Sequence, residues 1–323
     1  MADYKGIKGF TIPTVSSDPS NPILGQIWYN STTKTLKGEA VGVGAWASGG
    51  TLNTARPWIA GAGIKTATLA MGGEGKDDVE SYNGTSWTAV NPINSARGYL
   101  AGFGTLAAAI VAGGSNPGGA SALCEEFDGT NWSEVGDLNT ARQDLASGVK
   151  GTTSAGIIFG GALAACGTCA EQWNGTGWTE VGDLNTGRAR PSGAGTESAA
   201  LVYGGYTPAY TATTESWNGS SWTEVNALNT ARGGGSSGGG PSTSALYASG
   251  YTGVGVAITE SWNGTSWTEV ADVATARNGA AGTGASNASG IIAGGETQPG
   301  SAKSDVTEEW TLPDTATVTV TTS

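Results

Sequence analysis

The chain has 323 residues, 55 of them glycine and 12 tryptophan, with 13% charged and 38% hydrophobic. That balance favours turns and aromatic anchors over helices and points to an all-β chain. A net charge of −12 with no histidine argues against a nucleic-acid ligand, which needs a basic patch. It also removes the Ser-His-Asp triad, HExxH zinc proteases and His-ligated copper. No apolar run approaches the ~20 residues of a membrane-spanning helix, and Met1 to Ile12 lacks the apolar core of a secretory signal.

Taken in chain order, residues 1–38 form a separate charge regime, with Lys5, Lys8, Lys34 and Lys37 against Asp3 and Asp18. Within them, Gly25-Gln26-Ile27-Trp28-Tyr29-Asn30-Ser31-Thr32-Thr33-Lys34-Thr35-Leu36-Lys37 predicts two short strands around an Asn-Ser-Thr-Thr turn. Beyond them three landmarks recur. One ends in Arg: Leu52-Asn53-Thr54-Ala55-Arg56, then equivalents at Arg97, Arg142, Arg188, Arg232 and Arg277, roughly 45 residues apart. Another is a glycine pair closing an apolar run, at Gly72-Gly73, Gly113-Gly114, Gly160-Gly161, Gly204-Gly205 and Gly294-Gly295, degenerate at Ser249-Gly250. The run predicts a buried strand whose glycines allow close approach of a neighbour.

The third landmark is an acidic residue, an aromatic, a turn and Trp, clearest in Glu260-Ser261-Trp262-Asn263-Gly264-Thr265-Ser266-Trp267. Asn-Gly between extended runs predicts a β-hairpin with a type I′ turn, both central residues at positive φ. The hairpin also accounts for the Asn-Gly-Thr/Ser triplets at Asn83, Asn174, Asn218 and Asn263, which read otherwise as glycosylation sequons.

These landmarks resemble the kelch motif, from Gly38 to Pro313, and the resemblance implies an all-β, six-bladed kelch-like β-propeller. Joining Trp46 to Arg56 with Arg277 to Trp310 completes a sixth blade and leaves no open sheet edge. Thr315 to Thr322 alternates Thr and Val at strand period, so this tail competes with the Trp46 segment for the closing position. The expected division is 1–38 and 39–323.

Several residues invite chemistry. The six arginines, Arg56, Arg97, Arg142, Arg188, Arg232 and Arg277, suggest an anion-binding ring at a channel mouth. Against this stands a ladder of structural ion pairs with Glu80, Glu126, Glu171, Glu215, Glu260 and Glu309, because six like charges close together repel. Cys166 and Cys169 form a C-x-x-C without a second pair, and with Cys124 they read as small strand and loop residues, binding no metal and leaving melting indifferent to reductant. No cofactor is implied. Tracing strand direction puts the second-to-third and fourth-to-first connections on one face. The variable loops there carry Tyr206, Tyr210 and Tyr251, aromatics suited to stacking on a sugar or protein ligand.

The G-x-x-W-Y-N-x-T-x-x-x-L hairpin of residues 25–36 resembles that of tailed-phage structural proteins, in particular tail-fibre and appendage proteins of marine phages. This resemblance implies a multi-copy virion component, attached to other virion proteins through residues 1–38. The propeller is then displayed for adhesion to a cell-surface glycan or receptor, with neither catalysis nor membrane insertion. A free carbohydrate-binding propeller lectin and a sialidase-type glycosidase are the competing readings. For the latter, no carboxylate pair is marked out for acid–base work.

Overall fold

The computed structural model describes residues 12–20, 22–23, 25–162, 166–297, 302–313 and 315–320. Residues 1–11 of the expected attachment segment, the end of the tail and parts of two variable loops (163–165 and 298–301) lie outside that set. Every named element among the described residues is a strand. The chain divides into two compact units, Met1–Gly44 with Leu312–Ser323, and Ala45–Thr311. The expected boundary after residue 38 is displaced because strand Thr35–Val41 runs across it. The C-terminal strand Thr315–Thr319 pairs antiparallel with that strand, Lys37 opposite Thr319.

In the smaller unit, Ile27–Asn30 and Thr35–Val41 form the hairpin, and Thr14–Val15 joins it in parallel. Its Trp-Tyr-Asn signature has a structural cause. Trp28 is fully buried, and its indole donates to Asp18 at 2.9 Å, beside Asn30 at 2.7 Å and the Lys37 ammonium at 2.7 Å. The Lys37 hydrogen bond, then those of Asn30 and Trp28, hold the Asp18 carboxyl down at about 2. Asn30 also accepts from the backbone of Thr32 and Thr33, which fixes the turn.

The larger unit contains six four-stranded antiparallel sheets among the described residues. In order of their innermost strands, these begin at Ala60–Ile64, Ala101–Thr105, Ala146–Ser147, Ser192–Thr196, Ser236–Ser237 and Ala281–Ser286. The first sheet continues through Ala67–Met71, Val79–Tyr82 and Trp87–Val90, and the next four repeat that order. The sixth runs through Ser289–Ala293 and Thr307–Thr311, and its fourth strand is Ala45–Ser48, with Trp310 opposite Trp46.

Residue choice follows position within a sheet. Innermost strands converge and have little room for side chains: a methyl group at Gly282 would stand 2.3 Å from the carbonyl oxygen of Ser237 in the adjacent sheet, and one at Gly193 2.4 Å from that of Ser147. Second strands carry the apolar core, such as Ile157, Ile158 and Phe159, all at 0% exposure, each stabilising by about 1.5–3 kcal/mol on burial. The Leu of each Leu-Asn-Thr-Ala-Arg run, or its Ile or Val equivalent, is buried between sheets: Leu52, Ile93, Leu138, Leu184, Leu228 and Val273.

The hairpins depart from the expected type I′ turn. Tyr82 pairs with Trp87, so the loop has four residues, and of Asn83 and Gly84 only Gly84 has positive φ, at 90°. Asn83 instead accepts from the N–H groups of Thr85 and Ser86, both at 2.9 Å, and Asn174, Asn218 and Asn263 do the same in their loops. A side-chain cap does what a second positive φ would have done.

The glycine pairs end the second strands because both residues take positive φ, as at Gly72 (67°) and Gly73 (138°). In the degenerate copy Ser249 adopts φ 58° while fully buried, with its hydroxyl unpartnered. Ser249→Gly is therefore expected to stabilise by about 1–2 kcal/mol, removing left-handed strain and an unsatisfied hydroxyl together. A lower Tm for that variant would refute the assignment of strain.

Cys124 lies in strand Cys124–Phe127 and is buried. Cys166 and Cys169 correct the expectation of free strand and loop thiols: they are disulfide-bonded, Cα–Cα 5.2 Å, and Cys169 precedes its strand, Ala170–Trp173. Burial pushes the Cys124 thiol up to about 12. Native protein should thus show no thiol reactive toward Ellman's reagent at neutral pH, one after denaturation, and three after denaturation with reductant. Two reactive thiols in the native protein would rule out the bridge.

Candidate functional site

The six repeat arginines are 0–1% exposed, so their guanidiniums do not meet a ligand at the surface. Each is paired: Arg56 with Glu80, Arg97 with Glu125, Arg142 with Glu171 (2.8 Å), Arg188 with Glu215 (2.5 Å), Arg232 with Glu260 and Arg277 with Glu308 (3.1 Å). Two partners differ from the expected Glu126 and Glu309. Each belongs to a Glu-Glu pair, and the inward residue is the one two before the aromatic that faces the core, Phe127 or Trp310.

The same glutamates bind the segment that opens each repeat. Asn53, Asn139, Asn185 and Asn229 donate both backbone and side-chain N–H to Glu80, Glu171, Glu215 and Glu260, respectively. Arg56 also donates to the carbonyls of Gly72 and Ala70. Burial draws the Arg142, Arg188 and Arg277 guanidiniums below their ordinary range, and the paired glutamate opposes that shift. This is a fully desolvated scaffold whose polar groups are largely consumed within it.

Two residues after each arginine lies a position that sequence reasoning missed. Trp58, Tyr99, Asp144, Arg190, Gly234 and Gly279 all take left-handed backbone, with φ from 52° to 65°. Their backbones form a closed cycle. Trp58 N–H donates to the Gly279 carbonyl, Gly279 to Gly234, Gly234 to Arg190, Arg190 to Asp144, Asp144 to Tyr99, and Tyr99 to Trp58, at 2.6–3.0 Å. A constant offset from the repeat arginine was the available signal. It is hidden because the six side chains share no chemistry.

Four of these positions carry side chains that gather at one mouth. The Trp58 and Tyr99 rings stack, centroids 4.6 Å apart at 19°. The Arg190 guanidinium lies 4.5 Å from the Trp58 centroid and 5.7 Å from that of Tyr99, and its Nε donates to Asp144 at 3.0 Å. The two glycines make room for this arrangement: a methyl at Gly279 would come within 2.8 Å of the indole. Burial, then Glu74, raises the Tyr99 hydroxyl to about 12, so it stays a neutral donor.

The recess among these groups holds about 90 Å³, and a second cavity of about 100 Å³ continues inward between the innermost strands. Neither accommodates more than a few waters, so anything larger would have to rest on the mouth. The expected tyrosines are together at its edge. Tyr206 and Tyr210 meet at 5.3 Å, and Tyr210 and Tyr251 at 5.7 Å, in edge-to-face geometry. Tyr206 pairs with Ala189, next to Arg190, and is 39% exposed. Arg190 is also within electrostatic reach of Tyr210, whose hydroxyl is raised chiefly by burial.

With this geometry in hand, comparison with known proteins adds the fold. No protein-family description and no curated protein matches the chain. Among solved structures, one described as "Structure of YjhT" is similar at a TM-score of 0.65 and 13% identity, over 80% of this chain and 96% of that one. The likeness is one of architecture: the larger unit is an all-β, β-propeller-like fold.

Proposed function

We propose that the larger unit is a closed six-bladed kelch-type propeller acting as a non-catalytic adhesion module. In this reading it is displayed in several copies on a tailed-phage virion, attached to other virion proteins through the N-terminal unit, and binds a cell-surface glycan or receptor at the Trp58 mouth. Closure is supported by the cycle of six backbone hydrogen bonds and by the pairing of Ala45–Ser48 with Thr307–Thr311. The virion assignment is supported by the Trp-Tyr-Asn hairpin resemblance.

One observation carries the binding assignment. At six equivalent positions whose backbone favours glycine, two are glycine, while four keep Trp, Tyr, Asp and Arg at a cost of about 1–2 kcal/mol each. Strain of that kind is retained where the side chains are used. Stacked rings suit the apolar face of a pyranose, and an Arg–Asp pair suits its hydroxyls.

Arg190→Gly tests it. The variant relieves a left-handed arginine but loses two cation–π contacts and the ion pair with Asp144, whose side chain is 8% exposed, so stability should fall by no more than about 2 kcal/mol. Binding on a glycan array and to host cells should fall at least tenfold. Undiminished binding by a normally folded variant would sink the assignment. A free lectin would share this mouth but would be missing from purified particles.

A further inference from the structure

The face where first and second strands connect carries a separate cleft of about 360 Å³, within the range of small-molecule sites, ~300–1,000 Å³. Its walls are Ile64 and Ala67 from the turn of the first sheet and Leu106 and Ala107 from that of the second. Ile64 is 43% exposed, an aliphatic side chain left facing water. No aromatic ring lines the cleft, which sets it apart from the stacking surface at the mouth.

One charged group completes the lining, Lys150 of the third sheet. Its backbone N–H donates to the Gly195 carbonyl of the fourth sheet at 2.9 Å, yet its side chain borders a cleft built by the first and second. Among the described residues, Lys37 and Lys303 have carboxylate partners and Lys65 a hydroxyl; Lys34, Lys76 and Lys150 have neither, and of these three Lys34 and Lys76 are exposed while Lys150 is partly buried. A lysine that only covers apolar surface keeps its head in water. Lys150 is only partly exposed, and burial holds its ammonium below the ordinary range, so part of its hydration is gone with no carboxylate in its place.

We propose that this cleft binds a small aliphatic carboxylate, its hydrocarbon part on Ile64, Ala67, Leu106 and Ala107 and its carboxylate on the Lys150 ammonium. The charge complement favours an anion in particular. An aliphatic alcohol would leave the ammonium unpaired, and an aliphatic amine would place two cations together.

Calorimetric titration of the full chain with octanoate, 1-octanol and octylamine tests this. Octanoate should bind about tenfold more tightly than octanol, with octylamine undetectable. Lys150→Gln should melt no lower than the parent, because it removes a desolvated charge. It should bind octanoate about tenfold more weakly with octanol unchanged, whereas Lys150→Arg should keep the preference for the carboxylate. Octanoate binding that is absent, no tighter than octanol binding, or undiminished in a folded Lys150→Gln variant would overturn the proposal.

Discussion

Replacing Arg188 by methionine is expected to destabilise the larger unit by about 3–5 kcal/mol, because it strands a buried carboxylate. Arg188 and Glu215 are both fully buried. Besides Glu215, the arginine satisfies the carbonyls of Thr186, Gly204 and Thr213. Methionine fills similar volume, so the loss is electrostatic and hydrogen-bonding rather than a cavity. A drop of about 10 °C in Tm follows, at ~2–4 °C per kcal/mol for a unit of this size. Adding Glu215→Leu should recover part of it, since the pair's desolvation is then relieved at both ends. The exposed pair Lys303–Glu74, 3.5 Å apart with both side chains about half accessible, is the control: Lys303→Ala should change stability by under about 1 kcal/mol. A small effect of Arg188→Met would mean that the buried pairs are dispensable to the scaffold.

Trp310→Ala should be comparably severe, about 3–5 kcal/mol. The side chain is fully buried, its indole donates to the Asn287 carbonyl at 2.8 Å, and its ring lies 5.5 Å from that of Trp46. It is also the register partner of Trp46, the residue that seats strand Ala45–Ser48. Removing it opens a cavity and loosens the sheet of the larger unit that is assembled from distant parts of the chain. Equilibrium denaturation should show the loss, and limited proteolysis should cut near Ala45–Ser48 in the variant before the parent. Trp46 is only partly buried, so Trp46→Ala should have a smaller effect. Equal effects, or no new cleavage, would contradict this account of the sixth sheet.

Much of the scaffold was legible because it repeats. Arg56 and its equivalents, the glycine pairs and the Trp-bearing hairpins each answer a local demand, a buried charge, a positive φ or a turn, and such demands leave marks on residue type. The partner glutamates were legible only where a single acidic residue precedes the aromatic. At Glu125-Glu126 and Glu308-Glu309, charge alone cannot choose, and the spacing to Phe127 or Trp310 decides. The Val-Thr alternation of the tail predicts a strand but not its neighbour, since pairing with Thr35–Val41 is a contact across nearly the whole chain. The Tyr206, Tyr210 and Tyr251 cluster was visible as aromatics on variable loops. Trp58, Tyr99, Asp144 and Arg190 were not, because what unites them is a backbone angle, and side-chain identity does not report it.

The cycle of amide–carbonyl bonds through Trp58, Gly279, Gly234, Arg190, Asp144 and Tyr99 has no first or last member. In a linear array of repeats the terminal unit is held on one side only and frays from there. On this cycle every residue is held on both sides, and freeing any one breaks a bond as donor and another as acceptor. Opening at the mouth is therefore collective. The rings and charges mounted there keep their mutual spacing without a hydrophobic core of their own, so a ligand would meet a surface whose ordering entropy was already spent during folding.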